Sequence, residues 1–197
     1  MNHYYETMFD YIREILDIPE SDQEQCRMYF TPVWVPKDTI IEVAGKIPQY
    51  HNFIVSGYMR NFHIDDFGDE VTVDINNGCR YFTSYTHFTN RTITNENLHC
   101  ITDCELLRIK RDDVDILAKI GKTQKDYTIQ ILQKILAEDK QRINDMATLT
   151  AEQRYLKLMK EKPNIIQNVP LKYIASYLGI KPESLSRVRK ELLLNKC

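Results

Sequence analysis

The chain has 197 residues, 43% of them hydrophobic and 27% charged, with a formal charge of −2. That length holds one large domain or two small ones, and the composition excludes disordered, collagen-like and low-complexity classes. No apolar run reaches the roughly 18 residues that a membrane-spanning helix needs.

The near-neutral total hides an asymmetry. From Ala147 to Cys197 there are ten Lys/Arg against four Asp/Glu, a balance of +6; the rest of the chain holds sixteen against twenty-four, a balance of −8. A basic C-terminal third on an acidic body is the electrostatic outline of a nucleic-acid module joined to a domain of another kind. The five cysteines (Cys26, Cys79, Cys100, Cys104 and Cys197) are odd in number and lack a framework spacing, which predicts reduced thiols in a cytoplasm. The opening MNHYYETMFDYIREILDIPE has no basic region leading into an apolar core, so no secretory leader is expected.

Residues 1–30 read as short helices, with Tyr5, Met8, Phe9, Ile12, Ile15 and Leu16 at helical spacing. Short β-rich runs follow: Val33–Val35, Thr39–Val43, Phe53–Val55, Met59–Ile64, Glu70–Ile75 and Leu106–Ile109. Turns punctuate them, among them Asp65–Asp69, where Gly68 takes positive φ cheaply, and Asn76-Asn77-Gly78. Strands this short and this frequent predict an antiparallel roll or barrel. Strand signals stop near Arg111, and Asp112 or Asp113 is expected to cap a short helix.

A longer helix is expected from about Lys122 to Met146. Ile129, Leu132, Leu136, Ile143 and Met146 recur at 3–4 spacing, and Ile131 with Ile135 adds a second strip. Two strips suit two partners, the β domain and a second copy of the chain, unless one wide face packs inside a monomer. Thr148 or Thr150 is expected to cap the next helix, with Glu152 in its first turn and Pro163 beyond its end.

The strongest local pattern is PLKYIASYLGIKPESLSRVRK, residues 170–190. Ile174, Leu178, Ile180, Leu185 and Val188 supply a small core, Ala175 sits where two helices cross, and Gly179 sits at a turn needing positive φ. Pro182 opens the second helix, where its missing N–H costs nothing. This is a helix-turn-helix pattern, whose second helix enters a DNA major groove. Glu183, Ser186 and Arg187 share one outward face. Carboxylate, hydroxyl and guanidinium suit base edges. Ser184, Lys181, Arg189 and Lys190 flank that face, and the last two suit phosphates. Alternatively Glu183 and Arg187 form an exposed ion pair.

Together the roll, long helix and C-terminal helix-turn-helix resemble the Crp/Fnr superfamily of bacterial transcription regulators over nearly the whole chain. FIVSGYMRNF (53–62) and DDFGDE (65–70) resemble the strand–Gly–strand–hairpin core, with Gly57 and Gly68 at recurrent glycines. AEQRYLKLMKEKPNI (151–165) and VPLKYIASYLGIKPESLSRVRKEL (169–192) are similar to the Bacteroidetes-type subgroup. The resemblance implies a cyclic-nucleotide-binding-like jelly roll, a homodimer on double-stranded DNA and contact with RNA polymerase. It assigns Glu183, Ser186 and Arg187 to a TGA-containing half-site.

One segment departs from the family. The region matching the phosphate-binding cassette, residues 76–106, has no Gly-Glu pair, and its one candidate arginine pair, Arg91-Thr92, falls about three residues early. The degenerate cassette speaks against a cyclic nucleotide, and no other cofactor is assigned. Four clustered N-terminal cysteines for an iron–sulfur site are absent, and His99, Cys100 and Cys104 make too small a set for a metal. An effector pocket, if present, is expected near Gly57, Gly68, Arg80, Tyr85, Arg91 and Thr92, beside the aromatic stretch Tyr81–Phe88.

The sequence thus predicts an α+β chain in three parts: a roll over 1–121, a dimerisation helix over 122–146 and a helix-turn-helix domain over 147–197. With no P-loop, nucleotide fingerprint or nucleophile elbow, a regulator rather than an enzyme is expected. The rival is a small-molecule sensor whose helical tail contacts protein instead of DNA. The chain ends soon after the recognition helix, so a full wing hairpin is not expected.

Overall fold

A computed structural model describes residues 2–76 and 78–194; Asn77 and Cys197, both singled out above, lie outside them. Two helices, α1 (Asn2–Arg13) and α2 (Glu20–Tyr29), precede eight strands. These are β1 (Thr31–Val35), β2 (Ile40–Glu42), β3 (Tyr50–Ser56), β4 (Met59–Ile64), β5 (Glu70–Ile75), β6 (Arg80–Phe82), β7 (Asn97–Cys100) and β8 (Cys104–Lys110), with α3 (Tyr85–Asn90) between β6 and β7. They form two four-stranded antiparallel sheets, ordered β1-β8-β3-β6 and β2-β7-β4-β5. This is the expected jelly roll.

Period-two alternation builds its layers. Ile54 and Leu106 turn inward to meet Met59, Phe82, Leu98, Cys100 and Cys104 between the sheets. Their neighbours Phe53, Val55, Leu107 and Ile109 turn outward under Met8, Phe9 and Ile12 of α1 and under two helices that follow the roll. Those are α4 (Arg111–Ile120) and α5 (Gln124–Thr148). Asp112 and Asp113 do not cap α4. They lie in its first turn, where the helix dipole favours anions, and Lys110 holds the cap position. Helix α5 starts two residues later than its apolar period suggested. Asp22 takes Lys122 and Thr123 into a preceding turn, accepting from the Thr123 N–H at 2.9 Å and its hydroxyl at 2.8 Å.

The C-terminal helices are α6 (Ala151–Glu161), α7 (Pro163–Asn168), α8 (Leu171–Tyr177) and α9 (Pro182–Leu194). Thr150, not Thr148, caps α6 in a reciprocal box with Gln153, at 3.2 and 2.9 Å. Tyr155, Leu158, Ile165, Val169, Tyr173, Ile174, Ala175, Leu178 and Leu185 form the core of this head, which also takes in Ile75 and Ile101 of the roll. The described cysteines are all free thiols. Among the described residues, no helix is long and apolar enough to cross a membrane.

Candidate functional site

Helices α8 and α9 are joined by a turn in which Gly179 takes φ +67°. A Cβ there would meet only the tip of Met146, a flexible side chain able to shift, so it is the positive φ that calls for glycine. Leu185, fully buried, fixes the inner face of α9. Glu183, Ser186 and Arg187 are exposed on the outer face, as are Lys181, Arg189 and Lys190, while Ser184 is half-buried. Among the described residues, the ion pairs of the C-terminal third run from Lys157 to Asp145 and Glu161, and none joins Glu183 to Arg187.

Two sets of contacts hold this head. On the α5 side, Arg142 donates to the Tyr177 carbonyl at 3.2 Å and lies 4.6 Å from the Tyr177 ring. Arg154 donates to the next carbonyl, Leu178, at 3.1 Å. On the roll side, α8 sits against β5. The Ser176 hydroxyl accepts from the Thr72 N–H at 2.8 Å and donates to the Glu70 carbonyl at 3.1 Å. Arg60, only 2% exposed, is sandwiched between the rings of Phe62 and Tyr173 at 4.0 and 3.7 Å. Its edge donates to His99 Nδ1 at 3.0 Å and Thr72 Oγ1 at 3.2 Å and pairs with Glu70. Burial, then the Arg60 charge, pushes the His99 pKa down, which suits its role as acceptor.

The two strips on α5 have different surroundings. Ile131 is buried against the roll with Ile135 packed beside it. Ile129, Leu136, Ile143 and Met146 are exposed, Leu136 and Ile143 to 70% and 71%, and Leu132 is partly buried between the strips.

A cavity of about 680 Å³ lies between the roll, α3 and α5. Aromatic side chains crowd one part of it: the His51 ring lies 4.8 Å from Tyr81, 5.4 Å from Phe88 and 5.9 Å from Tyr85. Desolvation pushes the His51 pKa down to about 4, so the ring is neutral at pH 7. Ionic side chains on the walls are Asp74, Arg80, Glu96, Asp139 and Arg142. Of the residues expected at an effector pocket, Arg80 and Tyr85 line this cavity. The others stand elsewhere. Gly57 packs against Asp103 and Cys104, Gly68 turns the β4–β5 hairpin, and Thr92 hydrogen-bonds His87 at 2.9 Å. Arg91 ends α3 at φ +55° and turns to Asp115 at 2.7 Å and Asp112 at 3.6 Å on α4. Sequence reasoning missed Glu96, Asn61 and Arg142, and marked Asp139 only as a polar interruption of the α5 strip. Nothing local points to a shared site, because separate elements far apart in the chain bring these residues to one space.

A cyclic-nucleotide-binding-like β-roll joined by one long helix to a helix-turn-helix head defines the class of fold. No family model matches the sequence, and no curated protein matches it. Solved structures do, and their fold is that of the Crp/Fnr regulators. The c-di-GMP-responsive global regulator CLP of Xanthomonas campestris is 18% identical over 90% of this chain and 93% of its own, with a TM-score of 0.70. FixK2 of Bradyrhizobium japonicum is 16% identical over 85% and 86%, with a TM-score of 0.73. A Crp/Fnr-family transcriptional regulator of Eubacterium rectale is 16% identical over 91% and 85%, with a TM-score of 0.70.

Proposed function

We propose that the protein is a cytoplasmic, homodimeric, sequence-specific DNA-binding transcription regulator, and not an enzyme. The observation that carries the reading is α9 itself: Leu185 anchors it inward while Glu183, Ser186 and Arg187 stand exposed on a head of charge +6. Arg187 suits guanine O6 and N7, Glu183 suits cytosine N4, and Lys181, Ser184, Arg189 and Lys190 suit the backbone. The exposed strip of α5, with Leu132, pairs with its twin, setting two recognition helices about 34 Å apart on a palindrome. RNA polymerase is the further partner that the family resemblance implies. In this reading the chain divides into a roll over 1–121, a dimer helix over 122–146 and a DNA-binding head over 147–197.

The cavity is the effector site of this reading. Its walls include Val73 and Asp74 on β5, against which the head docks, and Arg142, which grips Tyr177. A ligand bound there favours one placement of the head over another and so shifts DNA affinity. Fluorescence anisotropy on palindromic and scrambled duplexes at two salt concentrations tests the DNA reading. A steep salt slope with preference for the palindrome is expected. Flat, salt-insensitive curves favour a sensor whose tail contacts protein.

A further inference from the structure

The cavity walls carry three acids, Asp74, Glu96 and Asp139, against two arginines, Arg80 and Arg142. Arg80 is paired with Asp74 at 3.2 Å, whereas Arg142 meets only the Tyr177 carbonyl and ring, and among the described residues its Nε has no hydrogen-bond partner. With His51 neutral at pH 7, Arg142 and His87 are the basic groups on the described walls that no carboxylate pairs with. Carboxylates still outnumber arginines on those walls, three to two. Glu96 is half-buried and accepts only from neutral donors, Asn61 Nδ2 at 2.8 Å and the Ser84 hydroxyl. Among the described residues no Lys, Arg or His pairs with it. Asp139 is pushed up by partial burial and then by the Asp74 charge, against the pull of Arg80 and Arg142.

Besides Arg142 Nε, two further groups on these walls lack protein partners among the described residues. Asn61 is 8% exposed and Tyr127 5% exposed, and among the described residues neither Asn61 Oδ1 nor Tyr127 Oη has a hydrogen-bond partner. Buried polar atoms left unmade cost stability, so a set of them beside an unpaired carboxylate points to a guest. The aromatic side chains offer faces to a flat ring, and about 680 Å³ holds a small molecule.

We propose that the cavity takes a small aromatic cation, an amine or amidine, with its positive end on Glu96 and its ring among Tyr81, Tyr85 and Phe88. This rests on the effector-site reading above and gives that site its ligand class. Calorimetry on the full chain tests it with three cationic probes (tyramine, tryptamine and benzamidine) and two anions, 3-(4-hydroxyphenyl)propionate and cyclic AMP. At least one cation is expected to bind, with each anion at least tenfold weaker. Glu96→Gln should weaken the cation at least tenfold, and Ile135→Trp, which fills the cavity, should abolish binding. Circular dichroism of each variant establishes that it is folded; should Ile135→Trp misfold, Thr128→Trp, on the same wall, replaces it. Preference for an anion, abolished by cavity filling, overturns the cation and keeps the effector site. Cation binding that survives Glu96→Gln undiminished overturns the assignment to Glu96 and with it the inference. Binding of none of the five probes overturns the cation and removes support for the effector site.

Discussion

Helix α9 and the cavity beside α5 present polar groups in opposite ways. On α9 the charged side chains point into solvent, are unpaired with each other, and rest on one buried leucine. In the cavity most of the charged groups are only partly exposed, and several are already answered by a neighbour. The first arrangement suits a partner that brings its own counter-charge and geometry, as a duplex does. The second suits a small guest whose affinity comes from groups the fold leaves unanswered. The difference teaches that exposure measures readiness on the head, whereas unsatisfied burial measures it in the roll.

Four perturbations sharpen the contrast. Leu136→Glu, on the exposed strip of α5, should convert the dimer to single chains in sedimentation and lower affinity for a palindrome by about 10²-fold or more. Its effect on monomer stability should stay within about 0.5 kcal/mol, since the side chain packs against little. An unchanged dimer would refute the interface.

Glu42 probes the buried regime. Burial lifts its carboxyl from 4.5 to about 7, against the pull of hydrogen bonds from Asn52 and Thr83. Between those values the folded chain keeps a proton that the unfolded chain has lost, so stability falls as pH rises through the window and levels off above it. Relative to Glu42→Gln, the wild type should lose roughly 3 kcal/mol across that window in urea titrations, since each tenfold difference in proton affinity between the folded and unfolded chain is worth about 1.4 kcal/mol. A constant difference between the two proteins would show that the carboxyl is already ionised when buried.

Arg187→Ala returns to the exposed regime. It should cost about 1–3 kcal/mol in DNA binding and relax selectivity at one base position, read by anisotropy on single-substitution duplexes. Equal losses on every sequence would reduce Arg187 to a phosphate contact. The smallest effect is expected from Thr150→Ala, which removes the α6 cap and should lower stability by about 1 kcal/mol in thermal melts.

The head was legible because its signals are contiguous. Ala175, Gly179, Pro182 and Leu185 fall within eleven residues, and each has a local steric or capping reason for its identity. The bounds of β4 and β5 were legible because glycine turns frame β4, at Gly57 and Gly68, and β5 alternates polar and apolar residues, Glu-Val-Thr-Val-Asp-Ile. By contrast β7, Asn-Leu-His-Cys, is buried at every position and shows no alternation to read. Strand β6 has only three residues, and the one-and-a-half turns of α3 carry no period. The cavity was the least legible part. Arg91 is its obvious cation in sequence, yet the acids of α4 hold it outside, while Glu96 enters from the start of β7.

The seat of α8 on the roll has one more consequence. Strand β5 is the last in its sheet, and Ser176 occupies the outward N–H of Thr72 and the carbonyl of Glu70. Were the head to lift, as the proposed function allows, that rim would be stripped bare, leaving an open β-edge able to recruit a strand from another molecule. Under the proposed function, switching and self-association would be joined, since any excursion of the head away from the roll would also expose that edge.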